Sequence, residues 1–355
     1  MRFSKRLPSE SHPNELTRIL TAKRAAGISV LDLTESNPTR AGIIYPPFVD
    51  ALADERAVRY EPEPFGLPSA REKIAEAYET PVDRVVLTAS TSEAYSWIFK
   101  LLCDPGDEVL VPRPSYPLFE YLAALESVSV RHYGLFYDHG WYLDFHALEQ
   151  AITPRTRALV LVNPNNPTGH FIHRGELEQL RALCDRHDIA ILSDEVFGDY
   201  RLDPAPDAVL SLRGVADFTL NGLSKLVGLP QMKLAWMLLR KPVPELEIIA
   251  DTYLSLGTPV QLALSALLAL REPVQRQIID RVRANLELLP RTLRVEAGWY
   301  AVVPVIDEEE TAERLLRQHN VLVQPGYFYD FERSGYIVLS LLTPPEIFKE
   351  GIARL

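Results

Sequence analysis

The segment Asn221-Gly222-Leu223-Ser224-Lys225-Leu226-Val227-Gly228-Leu229-Pro230-Gln231-Met232-Lys233 lies between two apolar runs, Phe218-Thr219-Leu220 and Leu234-Ala235-Trp236-Met237-Leu238-Leu239. The runs read as buried strands and the segment between them as a glycine-flanked loop. A lysine there has two readings. It is a solvated loop charge, or it is an amine held at a sheet edge to form a Schiff base with a carbonyl cofactor. A lone Ser-Lys pair favours the first. What stands upstream favours the second.

Upstream, short apolar runs recur at Val85–Leu87, Glu108–Val111, Val128–Val130, Ala158–Val162 and Ile189–Leu192. With the two runs above they make seven strands. Helix-patterned segments lie between them, at Ser92–Leu102, Leu118–Leu125 and Glu176–His187. This alternation predicts an α/β fold with a mostly parallel sheet covered on both faces. Ligands of such sheets bind beyond the carboxyl ends of the strands. The residues just after each strand are therefore the candidates.

Those residues are polar. Thr91 and Ser92 open a helix, where hydroxyls serve as caps and where free N–H groups also attract an anion. Tyr116 follows the second strand and reads as a surface or core aromatic, or as a flat platform for a planar ligand. Asn163-Pro164-Asn165-Asn166-Pro167-Thr168-Gly169 fixes a tight turn that presents amides. Asp194 follows an apolar strand, where an acid is costly unless it is solvated or paired with a cation.

Asn165-Asn166-Pro167-Thr168-Gly169, then Ser193-Asp194-Glu195-Val196, then Leu223-Ser224-Lys225, in this order and spacing, resemble the fold-type I pyridoxal-phosphate (PLP) aminotransferases of class I/II. The resemblance runs from Leu31 to Leu355. It implies a seven-stranded sheet, a smaller α+β domain, and a homodimer with active sites at its interface. Lys225 would hold the cofactor as an internal aldimine and shuttle the proton. Asp194 would keep the pyridine nitrogen protonated, Asn166 would bind the ring 3-oxygen, and Tyr116 would stack on the ring. Thr91, Ser92 and Lys233 would hold the phosphate, with Tyr60 lent by the neighbouring subunit. Thr258 is a further residue near the neighbour's site. The implied activity is amino transfer between a small amino donor and a keto acceptor, with lyase or decarboxylase chemistry as the alternative on this fold and a non-catalytic cofactor-binding protein as a third reading.

Four positions depart from the family pattern. Phe197 stands where a tyrosine usually bonds the 3-oxygen. Lys233 replaces the usual phosphate arginine and offers a point charge rather than a fork. Gly222 replaces a serine. Val338 stands where an arginine usually clamps the substrate α-carboxylate, and a bidentate pair there supplies both energy and orientation. Ser36, Asn37 and Arg333 are the candidate substitutes; Ser36 itself replaces a usual glycine.

The chain of 355 residues has room for two domains. The expected division is an arm at 1–40 packing with the small domain, a large cofactor domain at 41–245, and an interdomain helix with a small domain at 246–355. A net charge of −11 argues against nucleic acid or an anionic membrane as partner. Two cysteines, Cys103 and Cys184, fit free thiols in a reducing compartment. The polar N-terminus lacks a signal-peptide pattern, so the cytoplasm is expected. No CxxC or HExxH pattern occurs, and no metal is expected.

Overall fold

The computed structural model describes residues 3–7 and 12–355; residues 1–2 and 8–11 of the expected arm lie outside the described residues. In chain order the strands are β1 (Leu31–Asp32), β2 (Val85–Thr88), β3 (Glu108–Arg113), β4 (Ser129–Tyr137), β5 (Trp141–Leu143), β6 (Thr156–Val162), β7 (Ala190–Asp194), β8 (Phe218–Gly222), β9 (Ala235–Leu239), β10 (Tyr300–Pro304), β11 (Val321–Leu322), β12 (Gln324–Pro325) and β13 (Tyr336–Ser340).

Eight of these form one sheet in the order β2-β9-β8-β7-β6-β3-β4-β5. The run from β8 through β7, β6 and β3 to β4 is parallel, and β2, β9 and β5 pair antiparallel at the ends. All seven expected strands are present. The eighth, β5, arises because β4 continues past Val130 to Tyr137 and turns back, pairing Leu135 with Leu143.

Strand periodicity sorts side chains into two cores. Along β6, Ala158, Val160 and Val162 face one cluster and Leu159 and Leu161 the other. Along β9, Met237 and Leu239 face the first, while Trp236 and Leu238 enter a third cluster shared with β13. Burying each such side chain contributes about 1.5–3 kcal/mol, which is why the interior strands read as unbroken apolar runs.

β10, β13 and β12 form a separate antiparallel sheet, and β1 pairs in parallel with β11. The N-terminal segment is thus tied to the C-terminal part of the chain. The helix Glu15–Ala25, capped by Asn14, lies beside Glu308–His319.

Proline placement follows the helix starts. The helix after Gly66 starts at Pro68, whose fixed φ suits the first helical position. The helical stretch is interrupted between Leu268 and Arg271, and the next helix, Arg271–Glu287, carries Pro273 in its first turn, where no intrahelical N–H is needed. No helix among the described residues is long and apolar enough to cross a membrane.

Candidate active site

The chain runs from β3 to β4 on one side of β3, and from β6 to β7 and β8 on the other. The β3/β6 boundary is therefore the point where strand order reverses, and a crevice opens outside the carboxyl ends there. A cavity of about 350 Å³ occupies it. Ser36, Thr91, Ser92, Tyr116, Asn166, Asp194, Lys225 and Lys233 all line this one cavity, together with Tyr95, Phe197 and Tyr300.

Each residue reaches the cavity for a local reason. The N–H of Glu93 donates to Ser90 Oγ at 3.1 Å, and Glu93 Oε2 accepts from the N–H of Ala89 at 2.6 Å. Ser90 therefore caps the helix Thr91–Leu102, and the first-turn residues Thr91 and Ser92 turn toward the cavity with the helix N-terminus behind them.

The asparagine turn divides its amides. Asn163 is consumed by the N–H of Ile172 and the carbonyl of Val209, and Asn165 by the N–H and hydroxyl of Thr168 and the carbonyl of Pro114. Asn166 remains, and its Oδ1 is buried without a hydrogen-bond partner. Turning the amide by 180° would present its two donors at that point instead.

Asp194 ends β7 in full burial. Its Oδ1 accepts from the N–H of Val196 at 3.2 Å and its Oδ2 from the Tyr95 hydroxyl at 3.1 Å. Desolvation nonetheless pushes its pKa up to about 6, against the pull of those donors and of Lys225. Burial lowers the Lys225 amine to about 8, with Asp194 opposing. The pair thus holds one acid and one amine whose charges are both costly unless they meet a partner. Lys225 Nζ stands 5.1 Å from the ring centre of Trp299 and 5.6 Å from that of Phe197.

The backbone around the lysine is held from three sides. Tyr200 donates to the carbonyl of Lys225 at 2.6 Å, Gln275 to that of Leu226 at 2.9 Å, and Tyr45 to that of Gly228 at 2.7 Å. Lys233 takes a left-handed φ of 50° just before β9, an uncommon conformation for a side-chain-bearing residue.

Three of the candidates lie elsewhere. Tyr60 is 80% exposed and lines a separate cavity with Ser255, Thr258 and Gln261. Asn37 is spent on its own turn, accepting from the N–H and hydroxyl of Thr39. Arg333 lines a groove with Trp141 and Phe331. Val338 is wholly buried on β13, opposite Val302 and Gln324.

Tyr95, Trp299 and Tyr300 were not found from the sequence. Tyr95 had a signal, since it lies four residues after Thr91 and so on the same helix face. Trp299 and Tyr300 had none; they arrive from the other end of the chain.

The family described as aminotransferase class I and II matches residues 30–354 of this chain. Human tyrosine aminotransferase is 29% identical over 341 residues, covering 86% of this chain and 74% of that one. An arginine–pyruvate transaminase of Pseudomonas aeruginosa is 29% identical over 322 residues, covering 82% and 80%. Among solved structures, alanine aminotransferase from Pyrococcus furiosus superposes with a TM-score of 0.84 at 26% identity, covering 99% of this chain and 98% of that one.

Proposed function

This chain belongs to the aminotransferase class I and II family, whose members are PLP enzymes that transfer amino groups, and on that premise we propose that it binds PLP through Lys225 and moves an amino group from a small amino donor to a keto acceptor. The observation that carries the cofactor assignment is the convergence of Asp194, Asn166 and Lys225 on one cavity, with Asn166 Oδ1 unpartnered and the lysine amine lowered to about 8.

When bound, the cofactor supplies an electron sink for the substrate carbon. The protein supplies the rest. Thr91, Ser92 and Lys233 would hold the phosphate at the start of the helix Thr91–Leu102. Asp194, oriented by Tyr95, would hold the ring nitrogen in its protonated form. Asn166 would bond the ring oxygen, and Tyr116 would pack on the ring. Lys225 Nζ, once free, holds and delivers the proton at the substrate carbon; an amine near pKa 8 is suited to give and take it around neutral pH.

The donor's far end meets Ser36 and Tyr300 rather than a guanidinium. Val338 is sealed in the core, and the cavity's cations among the described residues are Lys225 and Lys233, both committed to the cofactor. We propose a homodimer with shared sites, supported by a line of exposed apolar residues before and at Tyr60: Ile44 at 77%, Val49 at 65% and Val58 at 89%. Tyr60, with Thr258 nearby, would then serve the neighbour's phosphate. The cytoplasm is the proposed compartment, in keeping with two free thiols.

The test is to incubate the PLP-loaded protein with single amines, with and without 2-oxo acid acceptors, and to follow keto product and ammonia. Keto product beyond one equivalent per site that requires the acceptor supports amino transfer. Ammonia or carbon dioxide released without an acceptor would overturn it.

A further inference from the structure

We propose that His170, His173 and Glu296 form a binding site for one divalent transition-metal ion of the zinc type, apart from the cavity described above. His170 and His173 flank one another at the start of the helix Arg174–His187, and Glu296 comes from a distant part of the sequence. Their ligand atoms all lie within 4.8 Å of one another. His170 Nδ1 is 3.3 Å from Glu296 Oε2, and His173 Nε2 is 3.5 Å from Glu296 Oε1. Ligands about 2.0–2.1 Å from a tetrahedral ion stand roughly 3.3 Å apart, so both histidine–glutamate pairs have metal-ligand spacing.

The outer atoms support the same reading. A ligating histidine turns its second ring nitrogen to a carboxylate or carbonyl, which fixes the ring and raises its basicity. Here His170 Nε2 lies 3.4 Å from Glu176 Oε2, and His173 Nδ1 lies 4.0 Å from Asp207 Oδ2. His173 Nε2, the atom that faces Glu296, is buried without a hydrogen-bond partner, and the approach of His170 Nε2 to Glu176 is an ion-pair contact rather than a hydrogen bond.

Glu296 has lone pairs to spare. Oε2 accepts from the N–H of Phe171 at 3.0 Å and Oε1 from the N–H of Ala205 at 2.9 Å. A carboxylate has about four acceptor positions, so one on each oxygen remains. Arg294 Nη2 lies 3.8 Å from Oε1. Two imidazoles with one carboxylate suit zinc and its transition-metal neighbours better than magnesium or calcium, which prefer oxygen sets. The His173 side chain is 28% exposed, which opens a path inward, while those of His170 and Glu296 are buried.

The position gives the ion a role. His170 follows directly on the turn that carries Asn166, and Glu296 precedes Trp299 and Tyr300. A bound ion would staple these two walls of the cavity together. They already touch: a Cβ at Gly169 would lie 2.3 Å from the carbonyl oxygen of Ala297.

The experiment titrates Zn²⁺ into metal-free, full-length protein by calorimetry, beside His173→Gln and Asp207→Asn. Circular dichroism and PLP uptake serve as checks that each variant is folded. We expect one ion per chain, a raised Tm on binding, affinity reduced at least 100-fold in His173→Gln, and affinity reduced roughly 10-fold in Asp207→Asn. Asp207 is half-exposed, so its variant keeps the test informative should His173→Gln fail to fold. Absence of stoichiometric binding, or equal binding by wild type and both variants, would overturn the proposal and leave the cluster as histidines ion-paired with glutamates.

Discussion

The hydroxyl of Tyr95 donates to Asp194 Oδ2 at 3.1 Å, joining the helix Thr91–Leu102 to the end of β7 inside a wholly buried site. Burial raises Asp194, and this donor works against that rise. Tyr95→Phe removes a hydrogen bond to a charged group, worth about 1.5–3 kcal/mol. The variant should bind PLP roughly 10–100-fold more weakly. Equilibrium dialysis of cofactor checks this, and unchanged affinity would remove Tyr95 from the site.

Phe197 packs edge-on against Trp299 and Tyr300, with ring centres 5.3 and 6.0 Å away. It lines the cavity with Asn166, Asp194 and Lys225, at the position where the family resemblance implies a tyrosine bonding the ring oxygen. Phe197→Tyr should add one hydrogen bond to a charged oxygen there. The pH at which the visible band of the loaded protein changes should fall by roughly one to two units. A spectrophotometric titration that shows no movement would contradict the assignment.

Gly222 answers to Ala235 across the β8–β9 ladder. A Cβ at position 222 would stand 2.8 Å from Ala235 Cβ and 3.0 Å from its Cα. Gly222→Ser, which restores the family's usual residue, should therefore weaken the fold by about 1–3 kcal/mol rather than improve phosphate binding. Pairing it with Ala235→Gly should recover part of that loss. Urea denaturation of the single and double variants decides it.

Glu195 is buried, held by the Ser193 and Ser211 hydroxyls and the N–H of Leu212, with a weaker attraction from Arg213. Burial raises its pKa to about 7. A raised folded-state value means its contribution is fully present below about pH 4.5 and is lost as pH climbs through 7. The stability of the unloaded wild type relative to Glu195→Gln should thus decline from pH 5 to pH 8. A difference that stays flat over that range would show that Glu195 keeps its ordinary acidity.

Much of this architecture was legible because it rests on local pattern. Residues of β6 to β9 are buried on both faces, so their apolar runs are continuous and easily seen. The polar groups at their ends, Asn166, Asp194 and Lys225, stood out against that background. β5 was hidden because it has only three residues and follows Asp138-His139-Gly140, which reads as a loop. The partners of the site were hidden for another reason. Trp299 and Tyr300 reach it through chain reversals that no local spacing records. Val338 was legible as a departure, but its burial against Val302 needed the β10–β13 register.

The proposed function stands on Lys225 as the residue that carries the cofactor. The direct measurement is borohydride reduction of the PLP-loaded protein, followed by peptide mass spectrometry. The expected result is a single pyridoxyl adduct, on Lys225, and none in Lys225→Ala. An adduct on Lys233 or another lysine, or no adduct on protein that has taken up PLP, would contradict it.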